Sequence, residues 1–335
     1  MNLETRYMGL KLENPLVASA SSLSYTLDGV RKLAASGVGA IVMHSLFEEE
    51  ITGEADRRAR LLEAGTESYA ESLSYFPETT PQRASKRYLG LLERAVKLSR
   101  VPVIGSLNAS APGAWIAHAQ EIESAGAAAI ELNTYMLPAS VEIDGRSVEA
   151  VHVELLQMVK SAVHVPVAVK LNPFFSSMGE IAVRLDAAGA DALVLFARFV
   201  HPDIDPERIR IVPGIGLSNP YESRLSRTWI SHLHGKIGAS LAGATGVDQA
   251  EDVVKYLLAG ADAVMSASAL LRHGPAHARV ILDSMIAWME RKGFQSLADF
   301  RGLLARPEGE DGTAAERAEY VDALRSANAN FHGPW

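Results

Sequence analysis

The feature that most constrains this chain is a phrase it repeats: a small-residue helix end, a glycine, then Ala or Val opening a short apolar run. It reads Ala34-Ala35-Ser36-Gly37 before Ala40-Ile41-Val42-Met43, and Ser124-Ala125-Gly126 before Ala129-Ile130-Glu131-Leu132-Asn133. It returns as Ala187-Ala188-Gly189 before Ala192-Leu193-Val194-Leu195-Phe196, and as Leu258-Ala259-Gly260 before Ala263-Val264-Met265-Ser266. A helix running into a Val-Pro-Val type segment alternates with it, at Val101-Pro102-Val103-Ile104, at Val165-Pro166-Val167-Ala168-Val169 and more loosely at Lys236-Ile237-Gly238-Ala239. Glycine just past a helix takes the left-handed conformation that closes it, and apolar runs too short for a helix suit strands buried on both faces.

With Leu16-Val17-Ala18-Ser19 added, the pattern predicts eight strands, at Leu16, Ala40, Val101, Ala129, Val167, Ala192, Ile237 and Ala263. Helical periodicity fills the gaps: Val148, Val151, Leu155, Val159 and Ala162 share one stripe, and Ile281, Leu282, Met285, Trp288 and Met289 another. Eight strands alternating with helices suit a (β/α)8 TIM barrel better than an open sheet. The barrel is predicted over residues 1–304, interrupted after its second strand by a long insertion at 46–80. That insertion carries Glu48-Glu49-Glu50, Arg57-Arg58-Ala59-Arg60, Tyr69, Tyr75 and Phe76. It follows a strand's C-terminal end, the active face in such barrels, so it reads as a lid or partner surface. Residues 305–335, rich in Glu, Ala and Arg, read as a C-terminal helical extension with a helix from Ala314 to Ala327 that serves an interface.

Composition sets limits on chemistry. In 335 residues, 48% hydrophobic side chains with a mean hydropathy near zero describe a soluble chain with one large core. No apolar run approaches the roughly 20 residues of a membrane span. Met1-Asn2-Leu3-Glu4 lacks the basic start of a secretory leader, so a cytoplasmic location without membrane partners is expected. The absence of cysteine leaves no disulfide, iron–sulfur cluster or thiolate nucleophile, and redox chemistry would need an organic cofactor. A net charge of −8 argues against nucleic acid as the main partner.

Reacting groups in this fold lie just after each strand. They are Ser19, Ser21 and Ser22; His44 and Ser45; Ser106 and Asn108; Glu131 and Asn133; Lys170 and Asn172; Arg198; Gly243 to Gly246; and Ser266 to Ser268. Gly243-Ala244-Thr245-Gly246 and Ser266-Ala267-Ser268 place small residues in two adjacent loops, whose backbone N–H groups can approach an anion, with a short helix from Ala269 to Arg272 behind them. This predicts a phosphate site. Lys170 ends an otherwise apolar strand, where a charge is costly unless something uses it. It suits either a cation against an electron-rich cofactor edge or a Schiff-base nucleophile for a carbonyl substrate. His201-Pro202-Asp203-Ile204-Asp205 reads as a solvated turn, and no metal is expected. His232 and His234 favour the C-terminal dipole of their helix, and Trp229 and Trp288 read as core.

These residues resemble the dihydroorotate dehydrogenase family of flavin mononucleotide (FMN) barrels, and within it the divergent dihydroorotate dehydrogenase-like branch. The resemblance runs from Met8-Gly9-Leu10-Lys11-Leu12-Glu13-Asn14-Pro15-Leu16 through Glu131-Leu132-Asn133 and Val169-Lys170-Leu171 to Leu270-Leu271-Arg272-His273-Gly274-Pro275 and Lys292-Gly293-Phe294-Gln295-Ser296-Leu297-Ala298-Asp299-Phe300. It implies FMN across the barrel mouth, its phosphate on Gly243, Thr245, Gly246, Ala267 and Ser268, and its ring near Ala18, Ser19 and Ala20. Ser45 and Asn108 join that cofactor set, the family's flavin-contacting lysine matches Lys170, and its strand-four asparagine matches Asn133. A homodimer, a place in pyrimidine biosynthesis and an electron acceptor or partner redox protein are further implications of the resemblance.

The departures bear on substrate. The family's catalytic Cys or Ser falls at Met136, whose thioether accepts no proton; its next substrate asparagine falls at Pro138, and its lysine after strand two is His44. Its strand-six asparagine falls near Phe196 or Ala197. Dihydroorotate is therefore a doubtful substrate, and the base must lie elsewhere, with His44 preferred and Tyr135 second. Three readings follow: an FMN-dependent oxidoreductase acting on a CH–CH bond of a small molecule, a Schiff-base or phosphate-binding lyase or aldolase using Lys170, and a flavin-binding protein without catalysis.

Overall fold

Eight parallel strands, β3 (Leu16–Ala18), β4 (Ala40–Val42), β6 (Val103–Asn108), β7 (Ala129–Asn133), β8 (Val167–Leu171), β9 (Ala192–Leu195), β12 (Ser240–Gly243) and β13 (Ala263–Ser266), pair in that order. The ring closes where β13 pairs with β3, Val264 opposite Leu16 and Ser266 opposite Ala18. This computed structural model describes residues 1–47, 83–108, 115–135, 140–198, 202–212, 214, 216–307, 309 and 312–331. Helices α1 (Leu27–Ala35), α2 (Arg83–Leu98), α3 (Trp115–Ser124), α4 (Gly145–Ala162), α5 (Met178–Ala187), α6 (Ser223–Leu233), α7 (Ala250–Ala259), α8 (Ser268–His273) and α9 (His277–Lys292) alternate with the strands, giving a (β/α)8 TIM barrel. Among the described residues, no helix is long and apolar enough to cross a membrane.

Strand alternation divides the core in two. Leu16, Ile41, Val103, Ile130, Val169, Leu193 and Val264 face outward into the helix-side cluster. Val17, Val42, Ile104, Ala129, Ala168, Ala192, Val194, Ala242, Ala263 and Met265 fill the barrel interior. An antiparallel hairpin, β1 (Thr5–Tyr7) with β2 (Leu10–Leu12), plugs that interior by burying Tyr7, Met8 and Leu12 in the same cluster. Alanines from β7, β8, β9, β12 and β13 leave the room the hairpin side chains occupy.

The predicted strand positions hold within two residues for seven of the eight, and the seventh barrel strand in chain order is displaced. Residues 237–239 form a turn, because the Asp186 carboxylate accepts the N–H groups of Gly238 (3.1 Å) and Ala239 (2.7 Å) before pairing can begin. The strand opens only at Ser240, whose N–H reaches the Asp191 carbonyl at 3.0 Å. After each Val-Pro pair the strand likewise starts at the following valine, β6 at Val103 and β8 at Val167, since proline lacks a ladder donor.

Of the predicted insertion, Leu46–Phe47 forms β5, parallel to Leu107 and Asn108 of β6, and residues 48–80 lie outside the described residues, as do Met136, Pro138 and His201. The extension does contain a helix, α10 (Gly312–Phe331), longer at both ends than the composition suggested. His232 stands in the last turn of α6 (Ser223–Leu233), where the dipole was expected to favour it, and its ring also reaches Glu316 of α10 at 3.0 Å, while Arg306 pairs with both Glu316 and Glu319. Trp229 and Trp288 pack against the helix-side core. A second hairpin, β10 (Asp203–Asp205) with β11 (Arg210–Val212), follows β9.

Candidate active site

The alternation that fills the barrel with alanine also decides which polar side chains point into its mouth. With Ala129 inside and Ile130 and Leu132 outside, β7 aims Glu131 and Asn133 inward. With Ala168 inside, β8 aims Lys170 inward, and Ile104 on β6 does the same for Ser106 and Asn108. Asn108, Asn133 and Lys170, with the loops after the other strands, line a cavity of about 560 Å3 at the C-terminal ends of the strands.

The cavity gathers most of the residues singled out from sequence. Ser19 and Ala20 come from the first strand end, His44 and Ser45 from the second, Asn108 from the third, and Asn133 and Tyr135 from the fourth. Lys170 forms part of the floor, and Thr245, Gly246, Ala267 and Ser268 close one end. Ala18 and Gly243 do not line it: Ala18 faces the helix-side core, and Gly243 lies against Tyr256. An added Cβ at Gly243 would overlap the Tyr256 ring, so this glycine serves packing.

Lys170 is 7% exposed, and its Nζ donates to Ser19 Oγ and Glu131 Oε1, both at 3.2 Å. His44 is half-buried between the rings of Tyr25 and Tyr88, edge-on at 4.5 and 5.1 Å, and its main-chain N–H donates to Ser24 Oγ at 2.7 Å. Burial holds its imidazole below the ordinary histidine range, which keeps it neutral at pH 7. His44 Nδ1 and Asn133 Oδ1 are buried without a hydrogen-bond partner among the described residues. Tyr88 supports this wall from behind, its hydroxyl accepting the Ser106 N–H at 2.9 Å, while Ser106 Oγ and Ser45 Oγ share a hydrogen bond of 2.8 Å.

At the other end, Thr245 and Gly246 both have positive φ, +75° and +71°, which folds the loop back on itself. A Cβ at Gly246 would lie 2.7 Å from the Asn219 carbonyl oxygen, so only glycine fits. Ser218, which no sequence signal marked, ties the two small-residue loops together. Its Oγ donates to Ser268 Oγ at 2.9 Å and accepts the Gly246 N–H at 3.2 Å. Arg272 reaches the Ser218 carbonyl at 3.1 Å and pairs with Asp248. Arg198, also on the cavity wall, pairs with Glu222. Phe47, Val247 and Met265 add apolar lining that sequence reasoning missed, since nothing in an apolar residue's identity says which cavity it faces. Among the described residues no cluster of His, Asp and Glu is placed to hold a metal.

A TIM barrel with two small-residue loops at one end of its mouth, an inward lysine and an inward asparagine narrows the choice of family, and the sequence comparison decides it. The family model for dihydroorotate dehydrogenase matches residues 2–289. The chain belongs to the dihydroorotate dehydrogenase family. Its relatives in this family include the dihydroorotate dehydrogenase B (NAD(+)) catalytic subunit of Thermoplasma acidophilum, 27% identical over 91% of this chain and 99% of that protein. The same-named subunit of Methanosarcina acetivorans is 30% identical over 88% of this chain and 94% of its own length. Dihydroorotate dehydrogenase A (fumarate) of Lactobacillus delbrueckii subsp. bulgaricus is 25% identical over 90% and 98%. The names of these relatives carry two different acceptors, NAD(+) and fumarate, and the family match covers the whole cavity described above.

Proposed function

We propose that this member of the dihydroorotate dehydrogenase family binds FMN in the barrel-mouth cavity and acts as an oxidoreductase on a CH–CH bond of an uncharged small molecule. The observation that carries this reading is the convergence in one cavity of Lys170, Asn133 and the Thr245–Gly246 and Ala267–Ser268 loops. The residues present fit the cofactor. The volume, about 560 Å3, lies within the range of small-molecule sites, and Asn133 Oδ1 is a buried acceptor awaiting a donor. Thr245, Gly246, Ala267 and Ser268 would hold the phosphate; Ser19, Ala20, Asn133 and Lys170 would meet the ring, with Ser45 and Asn108 beside it. FMN supplies hydride acceptance and return. Lys170 places positive charge where reduction creates negative charge, and His44, uncharged at pH 7, is the side chain able to take a proton from a substrate carbon. Tyr135 is the second candidate on the same wall.

Dihydroorotate carries a carboxylate, and among the described residues the lysine and the arginine that line the cavity, Lys170 and Arg198, are engaged. Lys170 faces Glu131 and Arg198 faces Glu222. His44, at the family's lysine position, adds no charge. These pairings support a neutral substrate. The same contacts argue against the aldolase reading, because a Schiff-base nucleophile must be free to reach a carbonyl and Lys170 Nζ is held by Ser19 and Glu131. Electrons would leave to a diffusible acceptor or a partner redox protein, since the chain has no cysteine for an iron–sulfur relay. A homodimer fits the resemblance.

Anaerobic stopped-flow mixing of the FMN-loaded protein with a panel of neutral cyclic CH–CH donors and with dihydroorotate tests the proposal. The flavin band is expected to bleach with a neutral donor and to persist with dihydroorotate. Rapid bleaching by dihydroorotate with release of orotate, abolished by Lys170→Ala, would overturn the substrate assignment. Bleaching by no donor would favour the non-catalytic flavoprotein.

A further inference from the structure

The carboxylate beneath Lys170 has no role in the chemistry so far. Glu131 is 1% exposed, one of the most deeply buried charged groups among the described residues, and it does not line the cavity. It stands on β7 opposite Ala168 of β8, while Asn133 stands opposite Lys170, so its carboxylate sits one inward step below the lysine. Level with it stand Ala168 and Ala192, and one inward step below lies Ala129, side chains that offer no hydrogen bond and no counter-charge. Among the described residues Lys170 Nζ has two partners, Ser19 Oγ and Glu131 Oε1, and only the second carries charge.

We propose that Glu131 is a positioning residue whose buried carboxylate pins Lys170 Nζ at the cavity floor and keeps it charged, so that it governs the redox potential of a cofactor it never touches. This rests on the FMN reading. A carboxylate left alone in that apolar layer would be far too costly to hold, and so would an ammonium. Together they form a locked pair whose positive member faces the cavity. A lysine on a flexible stem is otherwise a poor fixed charge, because its rotamer freedom blurs the position of Nζ. The partner below removes that freedom and aims the cation upward.

The surrounding groups leave Glu131 as the counter-charge that decides the state of Lys170. Tyr7 from the hairpin and Tyr88 from α2 both have hydroxyls pushed above the ordinary tyrosine range by burial, with the Glu131 charge adding to it, so both stay neutral. β9 turns only Ala192 and Val194 inward. Across the cavity His44 is neutral through burial, Arg198 is held by Glu222, and Tyr135 lines the wall. On the far side of the strands, Glu149 of α4 pairs with Arg184 of α5.

The test is the pH profile of the flavin midpoint potential in FMN-loaded protein, followed spectroelectrochemically from about pH 6 to about pH 9. Glu131→Gln keeps the shape and removes the charge. A buried ammonium stripped of its counter-charge gives up its proton more readily, so this variant is expected to show an added break in the profile, with lower potential on its alkaline side. Glu131→Asp, which keeps the charge, should restore a profile without the break, and Glu131→Gln combined with Lys170→Met should lose it. A Glu131→Gln profile superimposable on that of the unaltered protein, or a break that persists without Lys170, would overturn the proposal. Should the unaltered protein bind no FMN, the flavin reading fails by itself, and the Glu131 assignment is then judged by 15N NMR of lysine-labelled protein. There the Lys170 amine signal, identified by its absence in Lys170→Met, must titrate at lower pH in Glu131→Gln, and coincident curves overturn it.

Discussion

At the scale of single residues, the cavity wall works through what burial does to ordinary side chains. His44 keeps a neutral imidazole because the protein around it penalises the charged form. A reaction that needs it as base should therefore have an acid limb lying below the ordinary histidine value of about 6.5. The reductive half-reaction followed against pH checks this, and His44→Ala should remove the limb and slow the step by about 10²-fold or more. An unmoved limb would assign the base elsewhere. Tyr7 makes a different case. Its hydroxyl is wholly buried and has no partner among the described residues, so it contributes ring packing and a desolvation cost. Tyr7→Phe is expected to leave stability unchanged or raise it by up to about 1 kcal/mol in a urea titration, whereas Tyr7→Ala should cost about 3 kcal/mol or more by emptying the barrel plug.

At the scale of elements, four of the eight barrel strands, at Ala40, Ala129, Ala192 and Ala263, announced themselves through the glycine that closes the preceding helix. That signal is local, which is why β7, written Ala129–Asn133, appeared with its observed ends. β12 did not, because its start is set by Asp186, a side chain more than fifty positions earlier that claims the two N–H groups before it. No window of sequence contains that contact. Asp186→Ala is accordingly expected to cost about 1–2 kcal/mol in thermal or chemical denaturation, with FMN affinity nearly unchanged, since the turn it caps lies at the barrel's far end from the cavity. The site shows the same division. Lys170, Asn133 and the two small-residue loops were legible because their residue types are unusual where they stand. Ser218 was not, because a serine between Leu217 and Asn219 carries no mark until Gly246 and Ser268 fold around it. Ala18 and Gly243 were assigned to the cofactor by resemblance, and strand alternation and the Tyr256 ring place them one layer behind the wall.

At the scale of the whole molecule, a closed barrel separates stability from function: the helix-side core and hairpin hold the ring, and the rim holds the chemistry. The final helix α10 attaches to this body through His232–Glu316, Arg306–Glu316 and Arg306–Glu319 contacts near its start. The chain just before it is tied in by main chain, with Gly302 N–H on the Leu257 carbonyl and Leu304 N–H on the Leu258 carbonyl. Stopping the chain after Pro307 should therefore leave a folded barrel that retains FMN affinity, with a modest loss of thermal stability. Stopping before Phe300, which is fully buried, should not. Acid should also weaken the fold as a whole. His152 is wholly buried on α4, its ring against the Val148 carbonyl, and burial lowers its proton affinity. The unfolded chain binds that proton more readily, so the stabilisation is complete above about pH 6.5 and is lost as pH falls below it. Denaturation midpoints at about pH 7.5 and pH 5.5 should show the difference, and His152→Leu should reduce it.

The proposed flavin site at the barrel mouth is open to direct test by a crystal structure of the protein purified and crystallised with FMN. The ring is expected to lie across the strand ends with Lys170 Nζ at its N1–O2 edge and the phosphate between the Thr245–Gly246 and Ala267–Ser268 loops. A flavin-free cavity under saturating FMN, or a flavin bound elsewhere with Lys170 still locked onto Glu131 and facing no ligand, would contradict it.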